Sequence, residues 1–537
     1  MFLFYFQHPN SQTFTGRSNL ITTAGPCTNP AGRLIPPDKP IYKPFSSPKI
    51  SIANWIEAHP TGLCTAITLL AALLRLYQVG ERSVWFDEAI ELLIARAPFT
   101  EIQKTSYEWF YGDPPLYSWL LHIILKLGES EWVWRMPSVL VGTFGVLAAY
   151  HLFRLWVDVP TALLSQTMLA VSPAQVYYSQ EVNQYAFMVF FAIVILWAFQ
   201  RTLQCPSIRR MLIFSTLSIF GLFTHYGLLW MIVGLFFTVP LKMKVSSWYK
   251  WWPTILSLGL SFSGLFLFVI RPQLQVMRKI FPSPSKQWFI SSAEIKSLGH
   301  QLWATAHLFT DYRDLGAGPH SLITWLFILF FFFGLIITLT KPNWRTLPWL
   351  LLFLLLISYL AHRFGFYFWG TRYLLYLSPL FYLFCSIGLV ALAHRGFAFK
   401  FLPVVALFLL LYNERFVGWP NQDTGEHLRP VVRQVQAKAR PEEGIYVYYG
   451  AKPAFLVYYS GTRNRVHYGK WFREKPLNEK LADIEPFMTL WPHWWLVASH
   501  LYSGEVEALL KALDQRCRRN ETISQSNALA VRFDCER

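Results

Sequence analysis

From Leu63 to about Tyr412 the chain consists largely of long apolar runs, each close to the roughly 17–25 residues that a helix needs to cross a bilayer. Eleven such runs fall near 63–79, 136–156, 161–179, 184–200, 211–225, 226–241, 251–270, 320–340, 346–362, 371–393 and 399–413. Inside hydrocarbon every backbone N–H and C=O must be satisfied within the protein, which leaves helices or closed barrels. Continuous apolar runs, unlike alternating ones, specify helices. Only 15% of the residues are charged and 53% are hydrophobic; soluble domains carry about 25% charged residues. This composition argues against a soluble single-domain enzyme, a disordered chain and a fibrous protein. The sequence shows no internal repeat, which argues against an inverted-repeat transporter.

The net charge of +17 comes from 48 Lys and Arg against 31 Asp and Glu. In a soluble protein this excess would suggest nucleic acid, but here it is distributed by loop. With the N-terminus on the cytoplasmic side, the loops Arg201–Arg210, Lys242–Lys250, Lys341–Arg345 and Arg395–Lys400 contain bases and no acids. The opposite side holds Asp87, Glu88, Glu91, Asp113, Glu129, Glu131, Glu181, Asp311 and Asp314. The positive-inside rule places this acidic side outside the cytoplasm. The basic residues then act partly as cytoplasmic anchors, and no nucleic-acid partner is expected.

Three regions follow. Residues 1–62, rich in Pro, Ser and Thr, read as a disordered cytoplasmic tail; the opening Met1–Phe6 is too short for a signal peptide's apolar region and has no basic residue before it. Residues 63–413 form the transmembrane region, with a large first external loop at 80–135. Residues 414–537 change to soluble periodicities: strands at Ile445–Tyr449 and Trp494–Ala498, an amphipathic helix at Glu505–Leu513 and a last strand at Ala528–Phe533. The expected fold class is therefore mainly α, a polytopic helical bundle with a small C-terminal α/β domain. An odd number of spans puts that domain outside. Of the six scattered cysteines, Cys517 and Cys535 lie in it; an oxidising compartment permits them to pair, and two free thiols fit equally well.

The external loops carry the chemistry. The adjacent carboxyls of Asp87 and Glu88 fit a site with one raised pKa, a divalent-cation site, or the start of a short helix over Ala89–Ala97. Asp113 precedes Pro114-Pro115, an ordinary turn signal by itself. Glu181 lies between two spans. His225 and Tyr226 share a turn and fit an interfacial pair as well as a site. Arg372, followed by Tyr373, stands where a loop enters a span; snorkelling and anion binding both suit it. The topology puts all of these on one face, where acids, a histidine and an arginine above an apolar groove suit an amphipathic anionic lipid.

The ordered series Trp85-Phe86-Asp87-Glu88, Asp113-Pro114-Pro115-Leu116-Tyr117, Arg135-Met136-Pro137-Ser138, Ser179-Gln180-Glu181, Thr224-His225-Tyr226 and Arg372-Tyr373-Leu374-Leu375 with Pro379 resembles the GT-C superfamily of integral-membrane glycosyltransferases. Within it, the series is similar to the bacterial relatives of protein O-mannosyltransferases and of lipid A aminoarabinose transferase. The resemblance covers about 63–537 and implies a polyprenyl-phosphate-linked sugar as donor and an envelope lipid, glycan or protein as acceptor. It implies Asp87 as the base that deprotonates the acceptor hydroxyl, with inversion, and Glu88 as the group orienting Asp87 or the acceptor. Asp113, Glu181, Tyr226 and Tyr373 would line the donor or acceptor site. His225 and Arg372 would stabilise the departing phosphate, and Arg135 would orient the loop or share that role.

Two departures stand out. Relatives often carry Glu-x-Arg where this chain has Glu181-Val182-Asn183, and protein mannosyltransferases carry His where this chain has Asp113. The second favours an envelope or exopolysaccharide acceptor over protein. Paired acids permit a divalent metal, but no ligand set stands out. The rival readings are a transporter or flippase of lipid-linked sugars, and an envelope assembly protein whose C-terminal domain binds a partner. The charges lie in loops and not at mid-span, which favours surface chemistry.

Overall fold

The structure, a computed structural model, describes residues 52–109, 113–241, 251–280, 298–310, 322–364, 370–414, 425–470, 476–501 and 504–535. Residues 1–51 of the expected tail 1–62, the loop Lys242–Lys250, and Gly112, Asp311, Asp314 and Phe368 lie outside the described residues; the rest of that segment is not a disordered tail but forms the helix Ile52–Ala58 and the start of Pro60–Leu76. Where described, the eleven apolar runs are largely helical, and among the described residues six helices are long and apolar enough to cross a membrane.

Some runs break where local chemistry requires it. The run 161–179 divides into Val159–Val171 and Pro173–Ser179. Pro173 has no N–H to continue the first helix, and Ser172 caps the second by accepting from the Gln175 N–H. The break leaves a second, short helix directly ahead of the segment that carries Glu181. The stretch Thr371–Leu377 is a tighter 3₁₀ turn that leads into the helix Ser378–Ala393. Leu374 to Leu389 is buried at every position, as expected for a helix that is apolar all round and sits at the centre of a bundle.

That central helix packs against Leu322–Thr340 through two glycines. A Cβ on Gly334 would lie 1.9 Å from the Phe384 carbonyl oxygen, and one on Gly388 would lie 2.3 Å from that of Phe330. Where lipid is as apolar as leucine, close backbone approach through small residues is a main source of helix association.

The C-terminal sheet comprises β1 (Gly444–Val447), β2 (Val466–Tyr468), β3 (His493–Ser499), β4 (Arg518–Gln525) and β5 (Ala528–Asp534), in the order β2-β1-β3-β5-β4. β1 runs parallel to β2 and β3, whereas β5 runs antiparallel to β3 and β4. The two-residue period of the strands sorts side chains to two faces. Tyr446, Trp494, Leu496 and Phe533 pack on the helices Leu477–Leu490 and Glu505–Asp514. Ile445, Val447, Trp495 and Ala530 pack on Leu428–Lys438 and Lys452–Tyr458. Cys517 and Cys535 form a disulfide between the start of β4 and the end of β5.

The second face does not stop at the domain edge. It continues into one apolar cluster with Val84, Ala89, Leu92, Trp134 and Val182 of the membrane region. Polar contacts frame it: Tyr458 Oη donates to Glu131 at 2.8 Å and accepts from the Val84 N–H at 2.6 Å, and Arg429 pairs with Glu131 at 2.7 Å. The C-terminal domain is therefore packed onto the first loop.

The glycine contact is testable. Gly334→Val should lower the stability of the detergent-solubilised protein by about 1–3 kcal/mol, seen as a lower melting temperature. Gly259→Val, at a position with no atom within 4 Å of the added Cβ, should leave it within a degree or so of wild type.

Candidate active site

The first loop folds into the helix Phe86–Arg96, whose first turn holds both acids of the Asp87-Glu88 pair. Successive helical residues point about 100° apart, so the two carboxyls diverge. Glu88 turns inward and is 1% exposed. Its oxygens accept from Arg135 Nε at 2.9 Å and Nη2 at 2.7 Å, from the Val182 N–H at 2.8 Å, and from the Trp85 N–H at 3.3 Å. The last contact is a helix cap, so the cap reading of the pair holds for Glu88. Burial would raise the Glu88 pKa, but the Arg135 guanidinium outweighs it and holds the carboxyl below its usual range.

Arg135 is equally committed. Besides Glu88 it donates to the carbonyls of Val79 at 2.8 Å, Arg82 at 3.0 Å and Ser83 at 3.3 Å. A guanidinium has five N–H donors, and Arg135 uses them all on the loop. None of its donors is left to share a phosphate. Glu88, with both oxygens engaged, can orient the Asp87 helix but has no free lone pair facing an acceptor.

Asp87 turns outward. Its Oδ2 lies 2.8 Å from Arg372 Nη1, with the side chains 16% and 35% exposed, so the pair stands at an open mouth. Arg372 lies over the Tyr185 and Tyr373 rings, at 5.6 Å and 5.5 Å. His225 packs beside both tyrosines, with ring centroids 5.8 Å from Tyr185 and 5.9 Å from Tyr373. The Gly227 N–H donates to His225 Nδ1 at 3.0 Å, so a neutral ring carries its proton on Nε2. Tyr226 diverges from His225, its hydroxyl 3.5 Å from Gln273 Oε1.

The other acids lie behind the mouth. Burial, with Asp87 nearby, pushes the Asp113 carboxyl up to about 6 against the opposing pull of Gln184 and Arg372. Glu91, one helical turn after Asp87, is 1% exposed and accepts from Ser118 Oγ at 3.1 Å. Burial, reinforced by Asp113 and Asp87, drives its pKa well up. Glu181 is buried, with the Tyr177 hydroxyl and the Arg82 guanidinium favouring its ionised form. Burial and the adjacent Glu88 push it up to about 8. The structure thus brings Asp87, Asp113, His225, Arg372 and Tyr373 together, and sets Glu88, Arg135 and Glu181 beneath them.

Sequence reasoning assigned no site role to Tyr185, whose ring lies under Arg372, nor to Glu91 and Arg82. Glu91 follows Asp87 by four positions, a spacing that puts both on one helix face. Arg82 donates to the Gln180 carbonyl at 3.1 Å and lies 4.9 Å over the Tyr177 ring, so a cation does reach the Glu181 turn. Nothing in the local sequence marks Arg82. Among the described residues no group of three or more His, Cys, Asp or Glu is placed to hold a metal ion.

Residues 112–270 match the family profile of dolichyl-phosphate-mannose-protein mannosyltransferases. Among solved structures, the chain is similar to ArnT from Cupriavidus metallidurans in the apo state, at 13% identity over 90% of this chain and 98% of that one, with a TM-score of 0.55. The same enzyme bound to undecaprenyl phosphate matches at 13% identity over 90% and 98%, with a TM-score of 0.54. No curated protein matches the sequence. The chain has the GT-C fold that its ordered motifs suggested, a multi-pass membrane architecture with a small C-terminal sheet.

Two outcomes test this geometry. Arg135→Ala strands a buried carboxylate and should cost about 3–5 kcal/mol, read as loss of cooperative thermal unfolding or of expression. For Glu181, the folded state holds a proton more tightly than the unfolded chain. Its contribution to stability should be complete below its ordinary 4.5 and lost as the pH rises through about 8. Glu181→Gln should flatten that part of a melting-temperature profile against pH.

Proposed function

We propose that this protein is a membrane glycosyltransferase that moves a sugar from a polyprenyl-phosphate-linked donor to an acceptor hydroxyl in the cell envelope. The observation that carries the reading is the Asp87–Arg372 pair. A carboxylate from the first loop and a guanidinium from the last one meet at an open mouth, 2.8 Å apart, on the fold of a protein crystallised with undecaprenyl phosphate.

The chemistry follows from what each group does to charge. Asp87 takes the proton of the acceptor hydroxyl as its oxygen attacks the anomeric carbon. The bond from that carbon to the phosphate oxygen breaks with inversion, and its electron pair leaves on the phosphate. Negative charge therefore builds opposite the attacking oxygen, where Arg372 and the Nε2 side of His225 supply donors. The donor phosphate competes with Asp87 for the Arg372 guanidinium, which would release Asp87 toward the acceptor as the donor binds. Asp113 and Tyr373 border the same space, and Tyr226 lies on its far edge. Glu88 and Arg135 act at one remove by holding the helix that carries Asp87.

Two features support placing this face on the outer side of the plasma membrane: the basic loops opposite it, and the disulfide of the domain packed on it, a bond that persists in oxidising compartments. The acceptor is an envelope lipid, glycan or protein. The Asp113 position, which differs from the protein mannosyltransferases, favours the first two.

The test compares envelope glycolipids and glycans by mass spectrometry in cells with the wild-type chain, the Asp87→Asn variant and no chain. One sugar increment should disappear in both the deletion and the variant, with the variant still present in the membrane at wild-type level. Retention of that increment by Asp87→Asn would remove Asp87 as the base.

A further inference from the structure

Three segments of the C-terminal domain converge on the start of the Asp87 helix. Glu426 and His427 precede the helix Leu428–Lys438, His500 and Leu501 follow β3, and Ser526 and Asn527 form the turn between β4 and β5. They are tied to one another: the His427 N–H donates to the Ser526 carbonyl at 3.0 Å, and the Leu501 N–H donates to Asn527 Oδ1 at 3.2 Å. His500 Nδ1 pairs with Glu426 Oε1.

This cluster reaches out of its own domain. The His500 ring stacks on Phe86, with centroids 4.7 Å apart and planes at 24°. Phe86 is the first residue of the Asp87 helix. Glu426 is 5% exposed, and the Phe86 backbone amide donates to its carboxyl. Burial raises the Glu426 pKa; His500 and the Phe86 amide oppose this, and the charge of Asp87 adds to it. Both neighbours place the carboxyl beside the helix's first turn, where N–H groups have no intrahelical acceptor.

His500 also has φ of +54°, a left-handed conformation unusual for a residue with a Cβ. The residue packed against it is Gly450, where an added Cβ would lie 2.7 Å from the Ser499 carbonyl oxygen and 3.1 Å from His500 Cβ. Two unusual local features, a left-handed histidine and a glycine that makes room for it, coincide at the contact with Phe86. Backbone strain of this kind persists only where the surroundings over-determine it.

We infer that Glu426 and His500 of the C-terminal domain are positioning residues that hold the first turn of the Asp87 helix. The inference rests on Asp87 as the base only for its effect on turnover; the mechanical part stands apart from it. The domain then completes the site: Arg135 and Glu88 hold the helix from below, and His500 and Glu426 hold its N-terminal end from the side. A misplacement of about 1 Å at a reacting group can cost on the order of 100-fold in rate, so a positioning contact of this size matters to catalysis.

The test uses the full chain in lipid nanodiscs and follows backbone hydrogen exchange by mass spectrometry. His500→Ala should speed exchange of the Ala89–Leu92 amides about tenfold. Those of Trp495–Val497 in β3 should stay protected. His500→Phe, which keeps a ring against Phe86, should restore slow exchange at Ala89–Leu92. Glu426→Gln, which keeps the shape and removes the charge, should give a smaller acceleration at the same amides. In a transfer assay using the cells' extracted polyprenyl-phosphate sugar pool, His500→Ala should lower kcat about tenfold and leave KM for the donor unchanged. Unchanged exchange at Ala89–Leu92 in His500→Ala would overturn the inference. Equal loss of protection across β3 in both His500 variants would also overturn it, since His500 would then serve only its own domain. The exchange readout needs no substrate, so a failure of Asp87 as base would leave that arm intact and appear only in the transfer assay.

Discussion

The buried ion pair of Glu88 and Arg135 is the contact on which the arrangement at the mouth depends. Two charges taken out of water are tolerated only when every lone pair and every N–H finds a partner. Those partners come from different parts of the chain. Arg135 belongs to the helix Glu131–Phe153, Glu88 to the first loop, and the Val182 amide to the turn after Pro173–Ser179. The carbonyls of Val79, Arg82 and Ser83 close the set. Satisfying one guanidinium therefore fixes the path of the whole loop. The outward direction of Asp87 is a consequence, because its inward neighbour is locked.

The acids of this face separate into three environments. Glu88 is buried and stays ionised because Arg135 is in contact with both its oxygens. Glu91 and Glu181 are buried without a cation in contact, and their proton affinities rise. Asp87 combines an ion pair with Arg372 and partial access to solvent. Carboxyls close together in the fold thus sit in different environments because of burial and the position of two arginines.

Much of this was legible in the sequence. Apolar length gave the membrane helices, and the motif series gave the GT-C resemblance that the fold bears out. Inside the C-terminal domain, the apolar strands β1, β3 and β5 were legible because their side chains are buried. The edge strand β4, Arg-Arg-Asn-Glu-Thr-Ile-Ser-Gln, was not, since a strand covered on one side only lacks a continuous apolar pattern. The break at Pro173 was missed for a related reason. The apolar run continues through it, and run length does not register a missing N–H.

At the site the division is sharper. Composition and spacing determined that acids, a histidine and an arginine belong to loops at one face, because lipid excludes them from the spans. Only tertiary structure decided that Arg372 meets Asp87, that Arg135 is fully occupied, and that Arg82 reaches the Glu181 turn. It also decided that Glu426 and His500, more than 300 residues from Phe86 in sequence, stand at the head of its helix. The physical reason is range. Hydrophobic length and local periodicity act over a few tens of residues and are written in the order of the chain. Pairing of buried charges depends on which partners the packed helices bring within about 3 Å, and no local pattern records that distance.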